Sequence, residues 1–100
     1  IAFGAFLDQA LVGIVLVSGS TVVLCYVIPE VLHKGVGKAL LAQAQSCAAS
    51  AGVEYLELES TRTAEAFYLR NGFEPSGPLQ SWAKLKAQPM QKRLMANPLP

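Results

Sequence analysis

Residues 27–41 read Val-Ile-Pro-Glu-Val-Leu-His-Lys-Gly-Val-Gly-Lys-Ala-Leu-Leu. The apolar run that leads into this stretch ends at Pro29, a turn with two glycines follows, and apolar residues then recur at helical spacing. The pattern predicts a strand, a loop and a helix in that order, and the other elements flank this unit.

The predicted loop has the features of a phosphate-binding site. The first turn of a helix exposes backbone N–H groups and partial positive charge, so anions bind there. Gly35 and Gly37 leave room for a phosphate to approach the backbone, and two lysines add positive charge. The candidate binding residues are His33, Lys34, Gly35, Val36, Gly37 and Lys38. The alternative is that the glycines only make a tight turn.

Two other phosphate-binding motifs are excluded by spacing. A P-loop requires a glycine five residues before the Gly-Lys pair and a hydroxyl residue after it, but this chain has Leu32 and Ala39 there. The dinucleotide-binding fingerprint requires a third glycine at Leu40, which belongs to the apolar face of the helix. A nucleotide-binding domain is therefore disfavoured.

The composition predicts one small soluble domain. Hydrophobic residues make up 52% of the 100 residues, and no apolar run reaches the length of a membrane span. The formal net charge of +1 and the lack of a basic run give no reason to expect nucleic acid. Two cysteines in apolar segments and no signal peptide predict reduced thiols in the cytoplasm. A single histidine without paired cysteines gives no support for a metal site.

The remaining patterns predict an α/β fold with a mixed sheet. Residues 1–7, 10–17 and 21–28 read as three antiparallel strands, and the third is so apolar that both of its faces are expected to be covered. A helix over 36–51 and a strand over 53–58 complete a strand-helix-strand crossover. Such a crossover makes the strands that it joins parallel.

The second half of the chain predicts three further elements. A second helix runs from Ala64 to Asn71, with hydroxyl residues before it and Gly72 after it. A short strand over 73–75 is expected to pair with 88–94 across a loop that carries Trp82. Residues 97–100 are expected to be a frayed end.

Two blocks of sequence together resemble the GCN5-related N-acetyltransferase (GNAT) superfamily. Its first hallmark is Arg/Gln-x-x-Gly-x-Gly/Ala at a helix start, and residues 32–37 read Leu-His-Lys-Gly-Val-Gly. Its second is Ala-x-x-Phe-Tyr-x-x-x-Gly-Phe, matched by Ala64, Phe67, Tyr68, Gly72 and Phe73. Residues 89–94, Pro-Met-Gln-Lys-Arg-Leu, are similar to the family's closing strand.

The resemblance implies that residues 1–100 form a single GNAT-like domain that starts at the fold's second strand. The family's first strand and first two helices, which often build part of the wall around the acceptor substrate, are expected to be absent. The strand at Ile1 would then be an exposed edge, which is a reason to form a homodimer. Leu32 replaces the usual Arg or Gln, and this implies weaker coenzyme binding.

The resemblance also implies an acetyl-coenzyme A site where the third strand and the strand after the helix splay apart. The pyrophosphate would lie on the predicted cradle, and backbone groups of Tyr26, Val27 and Ile28 would pair with the pantetheine arm as an added strand does. A β-bulge near Cys25 or Tyr26 would direct one N–H at the thioester carbonyl and stabilise the developing oxyanion.

By the same resemblance, Tyr68 is the candidate proton donor to the departing thiolate, because a phenol can donate or accept a proton. Adjacent helical residues point about 100° apart. We therefore predict Phe67 in the core and Tyr68 in the cleft, and the alternative is that both are core aromatics.

The other candidate residues also have plainer interpretations. Thr61 and Thr63 lie where the family has polar residues near the coenzyme, but capping of the second helix is the preferred interpretation. His33 is interpreted as a solvated loop residue rather than a base, and the alternative is that it contacts a phosphate. Glu59 is the carboxylate nearest the expected cleft and the candidate general base. The alternatives are that Glu59 faces solvent and that water takes the proton.

The resemblance therefore predicts an N-acetyltransferase that moves an acetyl group from acetyl-coenzyme A to a primary amine of a small molecule or peptide. The amine would attack directly, in a ternary complex. The alternative is a non-catalytic acyl-coenzyme A binding or interaction module of the same fold, suggested by the absent N-terminal elements and by Leu32.

Overall fold

The computed structural model describes residues 1–94, and the predicted frayed end at 97–100 lies outside them. The elements are β1 (Ala2–Leu7), β2 (Ala10–Ser18), β3 (Thr21–Val27), α1 (Val36–Ser50), β4 (Tyr55–Ser60), α2 (Glu65–Arg70), β5 (Glu74–Pro75), β6 (Gln80–Trp82) and β7 (Leu85–Arg93). A 3-10 turn, Pro29–Val31, lies between β3 and α1. No helix within residues 1–94 has the length and apolar character needed to cross a bilayer.

The strands form a mixed sheet in the spatial order β1-β2-β3-β4-β7-β5, with β6 pairing to β7. The first three strands are antiparallel, as predicted. β3 and β4 are parallel but pair at one position, Thr21 with Glu57, where Glu57 N donates to Ser20 O at 2.8 Å. β4 pairs along its whole length with β7. This arrangement confirms the predicted α/β class with a mixed sheet.

The core lies between α1 and the inner face of the sheet. Leu41 of α1 and Leu56 of β4 are fully buried, because α1 turns its apolar side toward the strands. Gly13 on β2 allows the helix to approach, since a Cβ there would lie 3.0 Å from Leu40 Cδ1. This packing fixes the first turn of α1 at the end of β3.

The opposite face of β3 is exposed, so the prediction that both faces of this strand are covered is wrong within residues 1–94. Val23 and Tyr26 are 57% and 52% exposed, and Leu24 is exposed beside them. The apolar composition of the strand predicted burial, but α1 covers only the inner face, which carries Cys25 and Val27.

The segment around Trp82 forms a strand rather than the predicted loop. Trp82 pairs with Leu85 in the short β6–β7 hairpin, and both side chains are exposed. The predicted pairing of residues 73–75 with the last strand is confirmed, because Glu74 and Pro75 lie opposite Gln91 and Met90.

Candidate functional site

The separation of β3 from β4 opens a cleft of about 190 Å³ in the middle of the sheet. The strands pair at Thr21 and diverge beyond it, so their carboxyl-terminal halves leave a gap that α2 closes from the inner side. The cleft is lined by Val22, Val23, Leu24, Cys25, Leu58, Glu59, Ser60, Thr61, Ala64 and Tyr68.

The edge of β3 facing this cleft presents backbone groups at alternate residues. Ile28 N donates to Val12 O at 2.9 Å, and Ile28 O accepts from Val31 N at 3.2 Å. Because successive residues of a strand point their N–H and C=O groups to opposite sides, those of Val27 and Cys25 face away from β2. The predicted pairing of a ligand with Ile28 is revised, since both of its backbone groups are already used. The same alternation directs the backbone groups of Tyr26 toward β2.

A β-bulge lies in the wall of the cleft, two residues before the predicted position near Cys25 or Tyr26. Leu16 pairs with Leu24 and Val17 pairs with Val22, so Val23 is the extra residue of β3. The predicted position is wrong because the cross-strand register, which the local sequence does not encode, decides where an extra residue falls.

Tyr68 belongs both to the core and to the wall of the cleft. The residue is 8% exposed, and its ring packs edge-on against Phe67 at 5.1 Å and Phe73 at 5.7 Å between centroids. It also lines the cleft, beside Cys25. The predicted division between a core Phe67 and a cleft Tyr68 is therefore too simple, because Tyr68 is the more deeply buried of the two.

The phenol of Tyr68 and the thiol of Cys25 both line the inner side of the cleft. Burial raises the pKa of Tyr68 to about 12, and the nearby Cys25 acts in the same direction. Burial also raises the pKa of Cys25. Both groups are therefore neutral near pH 7, and the phenol holds its proton firmly.

The first turn of α1 has the geometry expected of an anion site. Gly35 caps the helix in the left-handed region at φ 85°, with no side-chain cap and no acidic residue in the first turn. The first helical bond runs from Ala39 N to Gly35 O at 3.0 Å, so the preceding amides have no intrahelical acceptor. A Cβ on Gly35 would meet nothing within 4 Å. The turn is therefore open to a phosphate.

The structure gives a packing reason for glycine at position 37, which the sequence alone does not indicate. A Cβ there would lie 3.0 Å from Phe67 Cζ and 3.7 Å from Val27 Cγ2. Gly37 thus allows α2 to pack on the first turn of α1, whereas Gly35 supplies the left-handed conformation.

The remaining candidate residues differ in whether they line the cleft. Thr61 lines it and also accepts a hydrogen bond from Ala64 N at 3.2 Å, in the turn before α2. The N-cap of α2 is Ala64, without a side-chain cap, so the predicted capping of this helix by Thr61 or Thr63 is wrong. Thr63 is exposed and does not line the cleft. Glu59 lines the cleft and is exposed. His33 is exposed in the loop with a left-handed φ of 64°.

Sequence reasoning missed two residues of the cleft wall. Ser60 is 1% exposed, and its Oγ donates to Thr61 O at 2.7 Å, which fixes the end of β4. Cys25 is predicted as a reduced thiol and as a neighbour of the β-bulge, but not as a side chain of the cleft wall. No local signal connects Cys25 to Tyr68, because the two are 43 positions apart. Within residues 1–94, no group of three metal-ligating side chains occurs.

Comparisons with known proteins agree with this architecture. A family model described as an acetyltransferase (GNAT) domain matches residues 2–94. No curated protein gives a significant match.

Three solved structures are similar over most of the chain. A GCN5-related N-acetyltransferase from Rhodopseudomonas palustris is 22% identical, with a TM-score of 0.85 over 94% of this chain and 61% of its own. The PaiA N-acetyltransferase from Thermoplasma acidophilum, solved with coenzyme A, is 26% identical (TM-score 0.77; 93% and 60% coverage). Nourseothricin acetyltransferase is 32% identical (TM-score 0.81; 88% and 61% coverage). The chain thus spans about three fifths of the length of these proteins.

Proposed function

The chain belongs to the GNAT family of acetyltransferases, and on this premise we propose that it transfers an acetyl group from acetyl-coenzyme A to a primary amine of a small molecule or peptide. One observation carries the proposal. The uncapped first turn of α1 and the gap between β3 and β4 lie at the two ends of one exposed strand edge. A phosphate-bearing molecule with a long arm fits this arrangement.

In this proposal the diphosphate of acetyl-coenzyme A binds the amides that follow Gly35, with Lys34 and Lys38 beside it. The pantetheine arm lies along β3 and pairs with the backbone groups of Val27 and Cys25, as an added strand would. A cleft of about 190 Å³ suits the acetyl thioester rather than the whole coenzyme. The PaiA N-acetyltransferase, solved with coenzyme A, supports this choice of cosubstrate.

The reaction proceeds by direct attack in a ternary complex. The amine nitrogen forms a bond to the acetyl carbon as the carbon–sulfur bond breaks, and the electron pair of that bond leaves on sulfur. Tyr68 donates its proton to this sulfur and regains one from solvent. The amine loses its proton to Glu59, which lines the cleft, or to water. Backbone N–H groups at the bulge of β3 stabilise the charge that develops on the acetyl oxygen.

The raised pKa of Tyr68, about 12, bears on this role. A phenol so weakly acidic gives up its proton only to a strong base. The same cleft raises the pKa of the Cys25 thiol by burial, so a thiolate departing there is also a stronger base than in water. Burial therefore raises the pKa of the donor phenol and the pKa of a departing thiol together. The phenol keeps its proton until the thiolate forms.

The two cysteines are free, which supports a reducing compartment such as the cytoplasm. β1 is an outer strand of the sheet within residues 1–94. We include a homodimer through this edge in the proposal, because pairing would cover its open backbone groups.

Calorimetry with acetyl-coenzyme A and a thiol-release assay on a panel of primary amines test the proposal together. We expect binding and release of coenzyme A with at least one amine. Lys38→Ala should weaken binding by about two- to fivefold through the lost charge, whereas Lys84→Ala, in the β6–β7 turn, should not. Binding without turnover on any amine would favour the non-catalytic module, and no binding would reject both functions.

A further inference from the structure

Asn71, the residue that follows α2, holds the backbone of both aromatic residues on that helix. Its N–H donates to Tyr68 O at 3.0 Å, and its Nδ2 donates to Phe67 O at 2.8 Å. The amide of Phe73 also donates to Tyr68 O, at 3.0 Å. The position of Asn71 therefore sets the last turn of α2, from which the Tyr68 side chain reaches the cleft.

Lys92 holds Asn71 from the sheet. Its Nζ donates to Asn71 O at 2.9 Å and to Gln45 Oε1, on α1, at 3.0 Å. The backbone of Lys92 lies opposite Leu56, which is fully buried on β4. Its stem crosses over Gly72, where a Cβ would lie 2.9 Å from Lys92 Cε. The end of α2 is therefore attached at one point both to the sheet and to α1.

The helix α2 needs such an attachment because it is short. It has six residues, and no side chain caps its first turn. A helix of this length is not stable without tertiary contacts. Phe67 and Phe73 pack edge-on against Tyr68 at 5.1 and 5.7 Å, but apolar packing is largely non-directional. A hydrogen bond requires a particular distance and angle, so the bond from Lys92 fixes the helix end where packing alone does not.

We propose that Lys92 is a positioning residue for Tyr68: its ammonium group holds Asn71, and Asn71 holds the last turn of α2, so that the phenol stays beside the leaving sulfur of coenzyme A. The inference rests on the proposed acetyl transfer, in which Tyr68 donates the proton. Lys92 is not among the residues that line the cleft, so it acts through the helix. A catalytic group misplaced by about 1 Å can lose about 10²-fold in rate.

The charge of Lys92 adds to this role. The last carbonyls of a helix carry partial negative charge, and a cation beside them is stabilising. Both acceptors of the ammonium group are neutral oxygens, Asn71 O and Gln45 Oε1. They leave the positive charge available to the end of α2, and an arginine at this position would supply the same charge.

The test uses Lys92→Met, which removes the charge and both hydrogen bonds but keeps the apolar stem, and Lys92→Arg, which keeps the charge and the donors. Lys86→Met, exposed on the same strand, is the matched control. For acetyl transfer to the amine that gives turnover, Lys92→Met should lower kcat about tenfold and change KM for acetyl-coenzyme A by less than about twofold. Lys92→Arg should stay within about threefold of the parent kcat, and Lys86→Met should match it. Rates refer to the folded fraction, measured by circular dichroism in the same buffer.

A second readout does not depend on turnover. In chains with isotope-labelled tyrosine rings, the NMR signals of Tyr68 report the ring currents of the aromatic residues around it, and Tyr68→Phe identifies them. These signals should move in Lys92→Met and keep their parent positions in the control variant. The exposed Tyr26 and Tyr55 are internal controls and should not move.

Gln45→Met removes only the α1 partner of Lys92 and carries the test if Lys92→Met does not fold. It should lower kcat about threefold and move the Tyr68 signals by a smaller amount. In that case, unchanged kcat and unchanged signals in Gln45→Met would overturn the proposal.

The two readouts separate this inference from the function on which it rests. Unchanged Tyr68 signals in Lys92→Met overturn the attachment, whether or not the chain is active. Moved signals with unchanged kcat overturn the positioning role. Moved signals in a chain that acetylates no amine support the attachment and reject the proposed function.

Discussion

The ring of Phe67 lies directly over Gly37, so that a Cβ on Gly37 would come within 3.0 Å of Phe67 Cζ. This contact joins the first turn of α1, where we propose the diphosphate binds, to α2, which carries Tyr68. Because position 37 has no Cβ, α1 and α2 pack closely at this point, and this packing fixes the two ends of the proposed site relative to each other.

Gly37→Ala should destabilise the chain by about 1–3 kcal/mol, because the Phe67 ring has to move to admit the methyl group. Urea unfolding measures the change. Phe67→Leu should relieve part of it in the double variant, because the smaller side chain leaves room. Additive effects of the two substitutions would show that the contact is not the cause.

Gly35→Ala tests a different property of the same loop. Its methyl group would meet nothing within 4 Å, but φ is 85°. We therefore expect backbone strain alone to lower the free energy of unfolding by about 1 kcal/mol. Gly35→Asn should cost less, because asparagine tolerates the left-handed region. Equal unfolding free energies for the two variants would contradict this explanation.

Lys92 links β7 to both helices by hydrogen bonds. Removal of its ammonium group should lower the free energy of unfolding by about 2 kcal/mol. Its Nζ donates to Asn71 O at 2.9 Å, at the end of α2, and to Gln45 Oε1 at 3.0 Å, on α1. Lys92→Met keeps the apolar stem and removes both bonds. Lys86→Met, exposed on the same strand, is the control and should change the unfolding free energy by less than about 0.5 kcal/mol. Similar values for the two variants would remove Lys92 from this role.

Tyr68 should make the folded chain less stable at alkaline pH. Its pKa is about 12 in the folded chain against the ordinary 10.0, so above pH 10 the unfolded chain releases a proton that the folded chain retains. The free energy of unfolding therefore falls as pH rises from about 10 to 12, and the contribution is fully present below pH 10. In urea unfolding across this range, Tyr68→Phe should reduce the slope and Tyr55→Phe, an exposed control, should not. An identical slope for both variants would mean that Tyr68 ionises as it does in water.

Tyr68→Phe should lower kcat for acetyl transfer by about 10²-fold, the lower end for general acid–base catalysis. Calorimetry should find nearly unchanged affinity for acetyl-coenzyme A, because the lost hydroxyl contacts only the leaving sulfur. An unchanged rate would exclude Tyr68 as the proton donor. A loss of affinity equal to the loss of rate would assign it to binding.

Local signals predicted the elements that surround the site. The proline and glycines of residues 27–41 marked the end of β3 and the beginning of α1, and the aromatic pair with Gly72 marked α2. Gly72 has φ 91°, as a helix-terminating glycine should. These features were predictable because turn residues and helical spacing act over a few positions.

The features that the sequence could not predict depend on distant partners. The position of the bulge at Val23 follows from the register of β2 against β3, and the presence of Cys25 and Tyr68 in one cleft follows from how α2 packs under the gap. Strand β6 was missed because three exposed residues carry no alternation of apolar and polar side chains.

The central claim is that acetyl-coenzyme A lies along β3 between the first turn of α1 and the cleft. The most direct measurement is an amide NMR titration of the ¹⁵N-labelled chain with coenzyme A. This binding mode predicts the largest shifts at the amides of Val36 to Lys38, with further shifts at Val27 and Cys25 and none in the β6–β7 hairpin. Shifts confined to the hairpin or to the exposed face of the sheet, or no shifts at all, would contradict it.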